Sequence, residues 1–209
     1  MSEWTRTLDV DGPEQTQALA ERLGAVLGPG DLVVLTGELG AGKTTFTQGL
    51  GRGLGVRPGI ISPTFVLVRR HPNLPDGPRP GGPDLVHVDA YRLDGPAEVD
   101  DIDLEDTVDT AVTVVEWGTG KVEHLSDSRL EIVLERAVGT GSLGPDELAS
   151  LQSAVGPDEP DPGSPGRIVN TEDDGADDAE DDAEDDAEPR RITLTGVGPR
   201  WSGGPPSWL

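Results

Sequence analysis

The feature that most constrains the fold is a phosphate-binding loop motif between a strand-like segment and a helix-like segment. Residues 37–44 read Gly-Glu-Leu-Gly-Ala-Gly-Lys-Thr, a full match to the pattern G-x-x-x-x-G-K-[ST]. Residues 31–36 read as a short buried strand, and residues 45–50 open a segment that can form a helix. Glycine tolerates positive φ, so the loop can turn its N–H groups towards an anion at the start of the helix. The sequence therefore predicts a nucleotide site rather than a Gly-rich turn with a chance Lys-Thr.

The motif also predicts which groups contact the nucleotide. Lys43 is expected to reach the β and γ phosphates, and Thr44 to offer its hydroxyl to Mg²⁺. After the loop, the chain lacks the D-x-x-G and N-K-x-D motifs with which GTPases read the γ phosphate and guanine, so ATP is favoured over GTP. The predicted nucleotide-binding residues are Glu38, Leu39, Gly40, Ala41, Gly42, Lys43, Thr44 and Thr45.

Two carboxylates follow apolar strand-like segments and are candidates for metal and water chemistry. Asp89 follows residues 85–88, and Glu116 follows residues 112–115. Ligands of open α/β sheets bind at the carboxyl ends of the strands, so both side chains are expected to point towards the triphosphate. Either one alone is equally consistent with an ordinary polar residue that closes a strand. Beside the loop, the pair favours a metal site at which Lys43, Asp89 and Glu116 support hydrolysis.

Two further residues are candidates for a switch or a lid. Thr64 follows Ser-Pro on a loop that could sense the γ phosphate, although the pattern alone favours a simple turn at the entry to a strand. Trp117 is either a core residue or a lid over the site. The three histidines, at positions 71, 87 and 124, show no metal-binding spacing, and we assign them no chemistry.

The remaining periodicity predicts an α/β fold of the P-loop NTPase type, with three layers, a mostly parallel central sheet and a C-terminal antiparallel hairpin. Residues 129–138 and 191–196 are expected to form that hairpin. Further predictions are a strand at 5–10, a helix from 12 to about 27, a strand at 65–68, a loop at 71–83 and a weakly helical stretch at 97–109.

An acidic tract interrupts the hairpin. Residues 171–188 hold twelve acidic and no basic residues, which account for half of the formal net charge of -24. Like charges at this density repel and cannot form a core, so we expect disorder from about residue 156. The predicted organisation is an ATPase domain over 1–138 and 190–197, an insertion over 139–189 and a tail over 198–209.

Composition limits the chemistry and the partners. The chain has no cysteine, which excludes disulfides and zinc–thiolate sites. The rest of the chain is still acidic, which argues against DNA as a partner. No apolar run reaches about 18 residues, and the first residues lack a basic-then-apolar leader, so we expect a cytoplasmic protein with no membrane contact.

The motifs together resemble the bacterial TsaE (YjeE) family. The resemblance rests on residues 37–46, 62–65, 87–93 and 115–118, which occur in the family's order. It implies an Mg²⁺-dependent ATPase of tRNA threonylcarbamoyladenosine (t6A) biosynthesis, slow alone and stimulated by TsaB and TsaD, which reaches tRNA through that complex. It carries the family's loop lysine and threonine onto Lys43 and Thr44, its Walker B-like aspartate onto Asp89, its metal-linked glutamate onto Glu116, its tryptophan onto Trp117 and its switch threonine onto Thr64.

Two other functions remain open from the sequence. A small-molecule P-loop kinase would usually carry an arginine-rich lid, yet residues 94–121 contain no arginine. An ATP-switched interaction module with little intrinsic catalysis cannot be separated from the ATPase by sequence.

Overall fold

One mixed β-sheet, with helices against both faces, makes up the described part of the chain. The computed structural model describes residues 3–102, 104–136 and 188–209. The elements in chain order are β1 (Glu3–Asp11), α1 (Gly12–Gly24), β2 (Leu32–Thr36), α2 (Lys43–Leu54), β3 (Val68–His71), β4 (Leu85–Asp89), α3 (Pro96–Asp100), α4 (Glu105–Val108), β5 (Val112–Glu116), β6 (Arg129–Arg136) and β7 (Pro189–Val197), with short 3₁₀ helices at Glu123–Leu125 and Pro199–Trp201.

The seven strands lie in the order β1-β7-β6-β2-β5-β4-β3. The four central strands, β6, β2, β5 and β4, run parallel to one another. The outer pairings are antiparallel, and β6 and β7 form the predicted hairpin. The predicted fold class is therefore confirmed. The insertion at 139–189 lies outside the described residues except for its last two, and Pro189 already belongs to β7.

Apolar side chains cover the sheet on both faces. On one face, Leu23 of α1 and Leu50 of α2 pack with Leu35 of β2. On the other face, Val34 of β2 packs with Val99 of α3. This alternation along β2 is the period of a strand buried on both sides, and it holds the loop after β2 between two packed layers. Among the described residues, no helix is long and apolar enough to cross a bilayer.

The prediction of a strand at residues 65–68 is wrong, whereas the predicted loop at 71–83 is confirmed except for its first residue, because His71 still belongs to β3. The N–H groups of Val66 and Leu67 both bond to the carbonyl of Pro63, at 2.9 and 2.7 Å, so the apolar run forms a turn. Leu67 has a positive φ of 64°, and the strand begins only at Val68. The backbone bonds of the Ser-Pro-Thr turn thus outweigh the strand preference of the residues after it.

The predicted end of the first helix at about residue 27 is also wrong. Helix α1 ends at Gly24, and Asp31 instead accepts a hydrogen bond from the N–H of Gly28 at 2.8 Å. Leu27 remains fully buried after the helix has ended. The apolar pattern therefore identified a core residue correctly but placed it in the wrong element.

Candidate nucleotide and metal site

The phosphate-binding loop lies between β2 and α2, as the motif predicts. Gly40 and Gly42 have φ of 75° and 97°, conformations that a side chain would strain. Gly42 is the last residue before α2, so the N–H groups of the first helical turn face the loop. The predicted nucleotide-binding residues divide between the loop, at 38–42, and the first turn of α2, at 43–45. This backbone is a cradle for an anion at a helix N-terminus.

Lys43 is a buried cation inside this cradle. Its Nζ donates to the carbonyl oxygens of Gly37 and Glu38, both at 2.8 Å. The same nitrogen lies 3.9 Å from the centroid of the Trp117 ring. Burial lowers the pKa of Lys43 below its usual 10.5, while the nearby charges of Glu116 and Asp89 oppose that shift. The loop therefore holds a desolvated positive charge at its centre.

Thr44 and Glu116 form the oxygen pair that could hold a metal. The Thr44 hydroxyl donates to Oε1 of Glu116 at 3.0 Å, and the carboxylate is 3% exposed. The contact arises because β5 lies directly beside β2, with Glu116 opposite Leu35. Hydroxyl and carboxylate oxygens suit Mg²⁺, which usually takes one or two carboxylates together with substrate phosphates. No cluster of three or more His, Asp or Glu side chains suited to a metal occurs in the described residues.

Asp89 forms hydrogen bonds with the Ser-Pro-Thr loop and not with Thr44. Its Oδ2 accepts hydrogen bonds from the hydroxyls of Thr64 at 2.5 Å and Ser62 at 3.2 Å. Its Oδ1 accepts the N–H of Tyr91 at 3.0 Å. Asp89 also lies opposite Glu116 in the parallel pairing of β4 with β5. The two carboxylates are thus adjacent, with one turned to the phosphate-binding loop and the other to the predicted switch.

Trp117 has its ring against the Lys43 ammonium and a strained backbone conformation. It follows β5 with a positive φ of 61°, which is uncommon for a residue with a large side chain. Its N–H donates to the carbonyl of Leu35 at 3.0 Å, and its ring meets that of Tyr91 edge-on at 5.3 Å between centroids. Because outlying backbone conformations concentrate at functional sites, the strain supports a role at the nucleotide.

The sequence analysis missed one residue of the site. His87 is fully buried, and its Nε2 lies 2.9 Å from Oε1 of Glu116. The spacing of the three histidines shows no metal-ligand pattern and gives no indication of this contact. Strand periodicity could have indicated this residue. His87 and Asp89 are two residues apart, so they lie on the same face of β4.

Exposed apolar residues lie on the loops that carry the site residues. Leu39 of the phosphate-binding loop and Phe65 next to Thr64 are 89% and 86% exposed. Ile61, Val66 and Tyr91, also near these loops in sequence, are more than half exposed. We call these five residues the apolar rim. Exposed apolar groups that gather beside a binding site are typical of a protein interface.

The chain is similar to known proteins of one family. The family model "Threonylcarbamoyl adenosine biosynthesis protein TsaE" matches residues 10–141. A tRNA threonylcarbamoyladenosine biosynthesis protein TsaE from Streptomyces coelicolor is 57% identical over 122 residues, 58% of this chain and 79% of that protein. The protein of the same name from Bacillus subtilis is 39% identical over 145 residues, which cover 69% and 82% of the two chains. The crystal structure of B. subtilis YdiB matches with a TM-score of 0.58 and 26% identity, over 97% of this chain and 93% of that one.

Proposed function

The chain belongs to the TsaE family of t6A biosynthesis proteins, and on that premise we propose that it is an Mg²⁺-dependent ATPase that acts with TsaB and TsaD. The observation that supports this most directly is the Thr44–Glu116 contact at the end of the phosphate-binding loop. A loop hydroxyl bonded to a buried carboxylate on the neighbouring strand is the arrangement by which P-loop ATPases hold their metal.

Each part of the site has a role in this proposal. The N–H groups of residues 38–45 bind the phosphates, and Lys43 exchanges its two carbonyl contacts for phosphate oxygens. Thr44 and Glu116 would hold Mg²⁺, which would neutralise charge on the triphosphate. Asp89 holds Thr64 in the switch loop and orients the attacking water, and Trp117 covers the site.

The apolar rim supports control by a partner protein. A protein that covers Phe65 would move the loop whose Thr64 is bonded to Asp89, and it would exclude water from the site. We therefore propose slow hydrolysis by the chain alone and stimulation by TsaB and TsaD. Contact with tRNA is indirect, because the acidic chain offers no broad positive surface for phosphates.

The test is the rate of ATP hydrolysis with and without purified TsaB and TsaD. We expect strong stimulation, and we expect Lys43→Ala to lose about 100-fold or more of the rate while it stays folded. Arg57→Ala is the control, because it removes a positive charge from an exposed position. Wild-type hydrolysis by folded Lys43→Ala would rule out the proposed role of the loop.

The same assay distinguishes the ATPase from a second candidate, an ATP-switched interaction module. The Asp89–Thr64 hydrogen bond favours this candidate. Such a module would bind its partners in a nucleotide-dependent way while its slow hydrolysis stayed unchanged. Phe65→Ser tests the rim: we expect loss of stimulation with an unchanged basal rate. Val26→Ser is its matched control, since Val26 is an exposed apolar residue outside the rim.

A further inference from the structure

His87 lies behind the candidate metal site, in the middle of β4, which has apolar residues at its other positions except for Asp89 at its end. Its ring is fully buried, between Val86 and Val88 in sequence. In the parallel pairing of β4 with β5, His87 lies opposite Val114 and therefore one same-face position before Glu116. The imidazole thus approaches the Glu116 carboxylate from inside the fold.

Two donors meet at the same carboxylate oxygen. Oε1 of Glu116 accepts the Thr44 hydroxyl at 3.0 Å and lies 2.9 Å from Nε2 of His87. The other oxygen, Oε2, takes part in neither contact. Because a carboxylate only accepts, Nε2 must carry the proton in this contact. The second ring nitrogen, Nδ1, is buried and has no hydrogen-bond partner among the described residues.

We propose that His87 is a positioning residue that fixes the Glu116 carboxylate, so that Oε1 faces Thr44 and Oε2 is free for the metal. The inference rests on the proposed function, because it assigns the orientation of the same metal site. Buried groups that orient a ligand from behind commonly change metal affinity without touching the metal themselves.

A purely structural role would not explain the choice of histidine. An apolar side chain would fill this position between two buried valines without burying an unpaired nitrogen, which is unfavourable. The hydrogen bond to Glu116 is the interaction that an apolar residue could not make. His71 of β3 packs near it, with 6.3 Å between the ring centroids, and so limits the space into which the imidazole could turn.

The first test measures how ATP binding and hydrolysis depend on Mg²⁺ concentration. We expect His87→Leu to fold and to raise the half-saturating Mg²⁺ concentration by about 10- to 100-fold. Glutamine can place an N–H about as far from the backbone as Nε2, so His87→Gln should stay within about threefold of the wild type. Thr113→Val is the matched control, because it also replaces a fully buried polar side chain on neighbouring β5, and its hydroxyl has no hydrogen-bond partner within the described ranges.

Two outcomes would overturn the inference while leaving the proposed function intact. One is wild-type Mg²⁺ dependence in folded His87→Leu. The other is a defect in His87→Gln as large as that in His87→Leu, because the donated N–H would then be irrelevant.

A second test needs no nucleotide. In ¹⁵N-histidine NMR spectra of the free protein, we expect a proton on Nε2 of His87 that exchanges slowly with solvent and exchanges faster in Glu116→Ala. A proton on Nδ1 instead, or no effect of Glu116→Ala, would overturn the inference. A protected Nε2 proton in a protein that hydrolyses no ATP would instead contradict the proposed function and leave the Glu116 contact standing.

Discussion

At the scale of residues, Asp89 and Glu116 end adjacent strands and accept hydrogen bonds from different loops. Glu116 accepts the Thr44 hydroxyl, whereas Asp89 accepts those of Ser62 and Thr64. In the proposed function, Glu116 would face the metal and Asp89 would face the switch loop, so we expect neutralisation of the two carboxylates to have different effects on activity.

Neutralising each carboxylate tests this division. We expect Glu116→Gln to raise the Mg²⁺ concentration needed for hydrolysis by about 10- to 100-fold. Asp89→Asn should lower the rate mainly at saturating Mg²⁺, because it weakens the hold on Thr64. The measurement is a set of Mg²⁺ titrations of ATPase activity for the two variants. If neither variant changes the metal dependence, the site is wrong beyond the phosphate-binding loop.

The sequence predicted these two residues but not their partners. Both carboxylates close apolar strands, so their local patterns are indistinguishable. Thr44 meets Glu116 because β5, not β4, lies next to β2, and that order is set by packing of the whole sheet. The role of His87 was not predicted for a related reason, because it depends on Glu116, which is 29 residues away in the chain.

At the scale of elements, the contact between α1 and α2 depends on glycines. A Cβ at Gly49 would lie 2.4 Å from the carbonyl oxygen of Gln17 and 2.7 Å from Cβ of Ala20. A Cβ at Gly53 would lie 2.0 Å from the carbonyl oxygen of Glu21. Helix α2 thus has poor intrinsic propensity but packs closely on α1, and tertiary packing outweighs propensity here.

We therefore predict that Gly49→Ala destabilises the protein by about 1–3 kcal/mol, although alanine is the better helix former. Urea unfolding measures the change. Gly28→Ala is the control, because a Cβ at that position meets nothing within 4 Å. Equal or higher stability of Gly49→Ala would show that the two helices are not in close contact.

The wrong prediction for the start of the third strand also bears on function. Apolar residues at 65–68 predicted a strand, yet Phe65 and Val66 lie exposed in a turn. A run of apolar residues can serve a partner surface as well as a core, and hydrophobic periodicity does not distinguish the two.

At the scale of the whole molecule, the buried His71 couples stability to pH. Burial, followed by the proximity of His87 and Arg69, lowers the pKa of His71 below its usual 6.5. Between the lowered pKa and 6.5 the unfolded chain binds more protons at this residue than the folded protein does. Stability therefore rises with pH through that interval and falls on acidification.

We predict that the free energy of unfolding falls more steeply for the wild type than for His71→Gln between about pH 7.5 and pH 5. Urea titrations of both proteins at several pH values provide the comparison. Parallel losses in the two proteins would mean that His71 titrates alike in the folded and unfolded states.

The predicted disorder of the acidic insertion concerns residues that lie outside the described ones. The strands on either side pair as far as Arg136 and Arg190, so a short connection can join them. We expect replacement of residues 156–187 by a short Gly/Ser linker to change the free energy of unfolding by less than about 1 kcal/mol, because loop length enters closure entropy only logarithmically. A large loss of thermal stability would contradict the prediction.

The fold class and the hairpin followed from sequence, but the two ends of the sheet did not. Strand β1 pairs with β7 across most of the chain, and the tail closes over it through Trp201, whose ring meets that of Trp4 at 6.2 Å. Arg200 binds Asp31 at 3.1 Å. Such contacts join residues far apart in the chain, and no local pattern encodes them.

The most direct measurement is the t6A content of tRNA in a bacterial strain depleted of its own TsaE-family protein. Expression of this chain should restore t6A, as measured by mass spectrometry of tRNA nucleosides, and Lys43→Ala expressed at the same level should not. Restoration by Lys43→Ala to the wild-type level would contradict the claim that the chain supports the modification through ATP bound at this loop.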